Sequence, residues 1–154
     1  MRSMNDPSTH LDALELEMTG LRITVLLADA GHVVNGKLYL LGAGWNVMAG
    51  QSPMTLAVLL EAPWASVPRA LDWSAVLVDQ DGAAVLADLG GGIAPVEMGG
   101  IIVLEPSPTQ LPPGTPMSVP WTLNYPPLPV EAGARYEWRL RVGDRLVVTS
   151  FTTV

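Results

Sequence analysis

Two patterns of apolar and polar positions meet near residue 21. Upstream, Leu11, Leu14 and Met18 fall at helical spacing and Leu16 lies off that face, so residues 1–20 read as a short polar arm with too little apolar face for more than a brief helix. Downstream the pattern is that of strands. Leu21–Asp29 (LRITVLLAD) is β-rich and almost continuously apolar, as in a strand buried on both faces. Gly31 reads as turn chemistry, and Asn35-Gly36 is a strong two-residue hairpin signal because both positions tolerate positive φ. Lys37–Met48 reads as a second strand interrupted by Gly42 and Gly44, glycines that mark a bulge or close backbone approach.

Thr55–Trp64 is the third expected strand, bounded by Pro53 and Pro63, and Ala70–Asp79 the fourth. Gln80-Asp81-Gly82 turns the chain into Ala83–Asp88, Gly90 to Gly92 break it, and Ile101–Leu104 resumes it. Proline clusters at 112–116 and 126–129 bracket a strand over Met117–Tyr125. The last hairpin is the clearest: Tyr136, Trp138, Leu140 and Val142 alternate with Arg135, Glu137, Arg139 and Arg141, and Leu146–Thr153 returns across Gly143-Asp144. About nine strands and at most one short helix imply a single antiparallel β-sandwich over residues 21–154, immunoglobulin-like or jelly-roll-like.

Composition narrows the function. The 154 residues suit one domain; 49% are hydrophobic and only 15% charged, which excludes a disordered chain. A net charge of −7 argues against nucleic acid and anionic membranes as partners. The absence of cysteine removes disulfides, thiolate chemistry and cysteine-ligated zinc. The first ten residues lack the apolar stretch of a secretory leader, so the expected location is the cytoplasm, or a virion if the chain is phage-encoded.

Candidate chemistry is sparse. Leu41-Gly-Ala-Gly-Trp-Asn46 has a GxG after a strand but neither the third glycine nor a following helix, so it reads as a strand bulge and not as a dinucleotide site. Asp29 and His32 could form an acid–base pair, although a turn with Asp29 closing onto the backbone is preferred. Asp79-Gln80-Asp81-Gly82 opens like a calcium loop and lacks its later ligands, which favours a hairpin tip. No catalytic residue, cofactor or metal is expected.

Trp45, Trp73 and Trp138 occupy strand positions and are expected to face the core. Trp64 and Trp121 each adjoin a proline; with Tyr125 they could form an aromatic rim for a glycan or small ligand at one end of the sandwich. Four of the eight basic residues, Arg135, Arg139, Arg141 and Arg145, lie on the last hairpin, a basic stripe on an acidic body suited to a protein contact.

The runs Leu26–Ala30 (LLADA), Asn35–Tyr39 (NGKLY), Leu41–Trp45 (LGAGW), Leu56–Trp64, Leu111–Pro116 and Gly133–Trp138 together resemble a family of small uncharacterised bacterial all-β proteins, from about Leu21 to the C-terminus. That resemblance implies the all-β fold and no activity. Leu128–Tyr136 also resembles the tyrosine corner of immunoglobulin-type sandwiches, with a different spacing. The function expected is a non-catalytic interaction or structural module in a homo-oligomer or larger assembly, a virion-decorating component among the settings. A glycan-binding module is the alternative. The partner is a protein in the first case, with no nucleic acid and no membrane.

Overall fold

The computed structural model describes residues 20–64, 69–105, 112 and 114–154. The arm expected over residues 1–20 lies, except for Gly20, outside the described residues, as does Pro113 of the first proline cluster. The described chain forms β1 (Arg22–Val34), β2 (Lys37–Ala43), β3 (Val47–Met48), β4 (Met54–Ala62), β5 (Arg69–Asp79), β6 (Leu86–Asp88), β7 (Ile93–Pro95), β8 (Glu97–Leu104), β9 (Met117–Tyr125), β10 (Arg135–Val142) and β11 (Arg145–Thr153). One sheet has the order β2-β1-β4-β9, the second β3-β11-β10-β5-β8, and β6 and β7 form a small ribbon. The two larger sheets pack as a β-sandwich.

Eleven strands replace the nine expected, and one strand pair is parallel. The expected strand Lys37–Met48 is two strands in different sheets. Gly42 (φ 56°) and Gly44 (φ 90°) take left-handed conformations that bend the chain out of the first sheet. The Asp29 carboxylate also fills the space a Cβ at Gly42 would need. β3 then pairs in parallel with β11, Val47 opposite Thr152. The other addition is the β6–β7 ribbon, where the Asp88 carboxylate accepts from the N–H groups of Gly90 (2.9 Å) and Gly92 (3.2 Å) and closes the glycine turn.

β4 and β9 are neighbours in one sheet, and β5, β10 and β11 in the other, an order similar to the B–E and C–F–G neighbours of immunoglobulin-type sandwiches. Tyr136, second in β10, accepts a hydrogen bond at Oη from the Glu131 N–H at 2.8 Å, so the tyrosine corner is present. The two sheets meet over Leu56, Val58 and Leu60 of β4, Leu77 of β5, and Trp138 and Leu140 of β10. Trp138 is completely buried, its ring 5.0 Å from Tyr125 and its indole N–H directed at the Met54 sulfur. Trp45 and Trp73 are only half-buried, packed against the edge of this core.

β4 is buried on both faces through Leu56–Val58, as its apolar run implied: Leu56 and Val58 face the second sheet, and the small Ala57, on the other face, lies between its cross-strand neighbours Leu26 and Thr122. β1 corrects the same inference. Only Leu27 and Ala28 of its thirteen residues are buried, and the turn expected at Gly31 is a continuation of the strand to Val34. Its first half, Arg22–Ala28, pairs with β4; its second half, Ala28–Val34, pairs with β2. Beyond Ala28 the β1–β2 hairpin therefore runs past the end of β4, where its strand pairing among the described residues is its own ladder.

Candidate functional site

The proposed aromatic rim is not assembled at one end. β4 and β9 are antiparallel with Met54 opposite Tyr125 and Ala62 opposite Met117, so Trp64, just after β4, and Tyr125 stand at opposite ends. At about 3.3 Å per residue that separation is roughly 25–30 Å. Trp121 lies between them and points inward, its ring 5.9 Å from Trp73 of the opposite sheet. Tyr125 is buried against Trp138, and burial raises its phenol pKa above the ordinary value. Only Trp64 stays exposed, beside a shallow cavity of about 300 Å³ that includes Pro63, Pro116, Arg22 and Glu61.

The arginines separate three to one. Arg135, Arg139 and Arg141 alternate with buried residues along β10 and so share the outer face of the second sheet. Arg139 pairs with Glu137 (3.5 Å), and Arg135 donates to the Ser150 hydroxyl (3.1 Å). Arg145 stands opposite inward-facing Val142, on the other face of the hairpin. It is half-buried and donates to the Leu21 carbonyl at 3.1 Å, tying the start of β1 to β11. Arg145 is thus a clasp between the sheets and not part of the stripe. Around the three remaining arginines the outer face is apolar, with Ile101, Val103, Leu146 and Val148 exposed.

Asp29 and His32 do not meet. Three residues apart on one strand, they point to opposite faces; Asp29 lies over Gly42, and His32 stacks on the cross-strand Tyr39 ring at 6.1 Å. The Asp79 loop is a turn, as expected, its carboxylate accepting from the N–H groups of Asp81 (2.9 Å) and Ala83 (3.0 Å). Among the described residues, no group of three or more His, Asp or Glu side chains is placed to hold a metal ion, and no helix is long and apolar enough to cross a membrane.

The surface that sequence reasoning missed is the β1–β2 hairpin. Its turn is the expected one, with Asn35 at φ 51° and Gly36 at φ 70° between paired Val34 and Lys37. Along the ladder, Ala30 faces Leu41, Gly31 faces Leu40 and Val33 faces Leu38, apolar on both sides of the ribbon. Leu41 is 71% exposed and Tyr39 51%, with Val33 and Val34 also exposed. A cavity of about 320 Å³ lies along it, lined by Ala30, Gly31, His32, Tyr39, Leu40 and Leu41. The apolar run had suggested burial; the length match of apolar segments on either side of Asn35-Gly36 was the signal that both belonged to one ribbon.

No protein-family model and no curated protein matches this chain. The functional reading rests on the molecule's own surfaces.

Proposed function

We propose that this protein is a non-catalytic structural module that works through protein contacts, in a cytoplasmic homo-oligomer or larger assembly, with a virion-associated or decorating role as one setting. The observation that carries this reading is the β1–β2 hairpin, which extends beyond β4 with large apolar side chains exposed and, among the described residues, no strand paired to the outer edge of β2. Exposed contiguous apolar surface in a folded domain marks an interaction site, since leaving it in water forgoes about 25 cal/mol per Å². The outer face of β10 and β11 offers a second contact surface, with Arg135, Arg139 and Arg141 among exposed aliphatic residues. Size exclusion with light scattering tests the reading: the mass should exceed the 16.4 kDa of one chain and rise with concentration. A monomer at every concentration, with no partner recovered from its host, overturns it.

A second reading, a glycan or small-ligand site, now rests on Trp64 with Pro63 and Pro116. Stacking of a sugar on the exposed indole would shift its fluorescence, and a glycan titration without any shift removes this alternative.

A further inference from the structure

We propose that the open edge of β2 pairs with β2 of a second copy, antiparallel, with Leu40 on the two-fold axis. This rests on the assembly reading above and assigns it a strand and a register.

Edge strands expose unpaired N–H and C=O groups, and proteins guard them with proline, charge or brevity. Two of the edge strands here carry such guards: β9 contains Pro120 and β8 contains Glu97. In the second sheet, two-residue β3 covers only Thr152 and Thr153 of β11, whose remaining edge starts at the charged Arg145. β2 has neither proline nor charge along Leu38–Leu41, the stretch before the left-handed Gly42; its single charge, Lys37, sits at the turn.

Hydrogen-bond phase identifies the groups on offer. In a two-residue hairpin the pair flanking the turn is hydrogen-bonded, and such pairs alternate along the ladder. Lys37, Tyr39 and Leu41, opposite Val34, His32 and Ala30, therefore direct their backbone groups into β1. Leu38 and Leu40 direct theirs outward, to the open edge. Centring a second β2 on Leu40 makes Leu40 the hydrogen-bonded pair with itself and brings Leu38 to Gly42 of the other copy. Tyr39 then faces Leu41 of the other copy, twice, in the closer non-hydrogen-bonded pairing. The two most exposed large side chains of the hairpin cover each other.

Electrostatics favours this place for a contact between copies. Two chains of net charge −7 repel, yet the hairpin from Asp29 to Ala43 holds one acidic and one basic residue, Asp29 and Lys37, and is locally neutral. The register sets Lys37 opposite Ala43 of the other copy, away from the other Lys37. Sliding one copy by two residues would instead put the Lys37 ammonium against Leu41. Joining the sheets makes one continuous sheet of eight strands from two of four. A single strand edge falls below the ~1,600 Å² of a standard interface, so association should depend on concentration in the micromolar range.

The chain has no cysteine, so single-cysteine variants report cleanly. A hydrogen-bonded antiparallel pair brings Cα atoms to about 5.5 Å, within disulfide range. Under mild oxidation Leu40→Cys should form a covalent dimer at concentrations where Val148→Cys, on the exposed face of β11, stays monomeric. Leu41→Lys, at a highly exposed position, should keep the wild-type melting temperature and lose the concentration-dependent mass. In the unmodified protein, the Leu38 and Leu40 amides should exchange about 10-fold or more slowly as the dimer fills, since exchange tracks the open fraction. If the wild-type protein oligomerises but Leu40→Cys does not cross-link, Leu41→Lys still assembles and the two amides are unprotected, the β2 edge is overturned while the assembly reading stands. A wild-type protein monomeric at every concentration overturns both.

Discussion

The molecule contains two long hairpins built on tight two-residue turns, and they have opposite fates. In β10–β11 each apolar residue of β10 is followed or preceded by a charged one, so one face enters the core and the other keeps Arg135, Arg139 and Arg141 in water. In β1–β2 apolar residues stand on both sides of the ladder beyond Ala28, and no second sheet covers either side fully. Alternation tells a strand which face to bury. A run without alternation asks for cover on both faces, and whether cover arrives depends on neighbours far away in sequence. β4 shows the same kind of run buried on both faces, Leu56 and Val58 against the second sheet and the small Ala57 between its cross-strand neighbours on β1 and β9. The β1–β2 hairpin shows it left open, which is why its cover is sought in another molecule.

Substitutions sharpen this contrast in a graded series. The largest effect belongs to Trp138→Ala on β10, which empties the centre of the core; urea unfolding should show a loss of about 3–5 kcal/mol. A loss below 1 kcal/mol would mean that the last hairpin is not the one that holds the sandwich together. Next is Tyr136→Phe, which removes the acceptor of the Glu131 N–H and should cost about 1–3 kcal/mol without changing the fold seen by circular dichroism.

Tyr125→Phe should move the other way. The Tyr125 hydroxyl is buried with no hydrogen-bond partner among the described residues, so its removal is expected to be neutral or stabilising by up to ~1 kcal/mol. Burial raises its pKa above 10.0 in the folded state, so the unfolded chain gives up this proton first. The stability linked to that group is therefore complete below pH 10 and lost as the pH climbs through and above it. The wild-type protein should lose part of its alkaline stability that Tyr125→Phe retains, as read from unfolding midpoints between pH 9 and pH 12. The smallest effect on folding is expected at Leu41→Ser: exposed on the open hairpin, it should stay within about 0.5 kcal/mol of wild type in the monomer. A larger loss would show that Leu41 packs within its own chain.

Local chemistry made much of the fold legible. Met117–Tyr125 and Arg135–Val142 were read with their observed bounds, the first marked out by prolines and the second by alternation. The turns at Asn35-Gly36 and Gly143-Asp144 followed from residues that tolerate positive φ. Long-range pairing was not legible. β3 leaves the first sheet to join β11, about a hundred residues later, and only the glycines hinted at the break. The candidate ligand rim failed for the same reason: two aromatic residues at strand ends can be at the same end or at opposite ends, and the β4–β9 register decides. The arginine stripe survived in three members because they share parity on one strand; Arg145, across the turn, falls on the other face.

Hydrogen exchange at individual amides, followed across protein concentration, tests the central contrast most directly. In β10–β11 the amides of Trp138 and Leu140 should be protected equally at every concentration, because their partners lie in the same chain. The amides of Leu38 and Leu40 should exchange rapidly in dilute solution and gain protection as the concentration rises. Rapid exchange at Leu38 and Leu40 at all concentrations, in a protein that nonetheless assembles, would contradict the account and place the contact elsewhere on the sandwich.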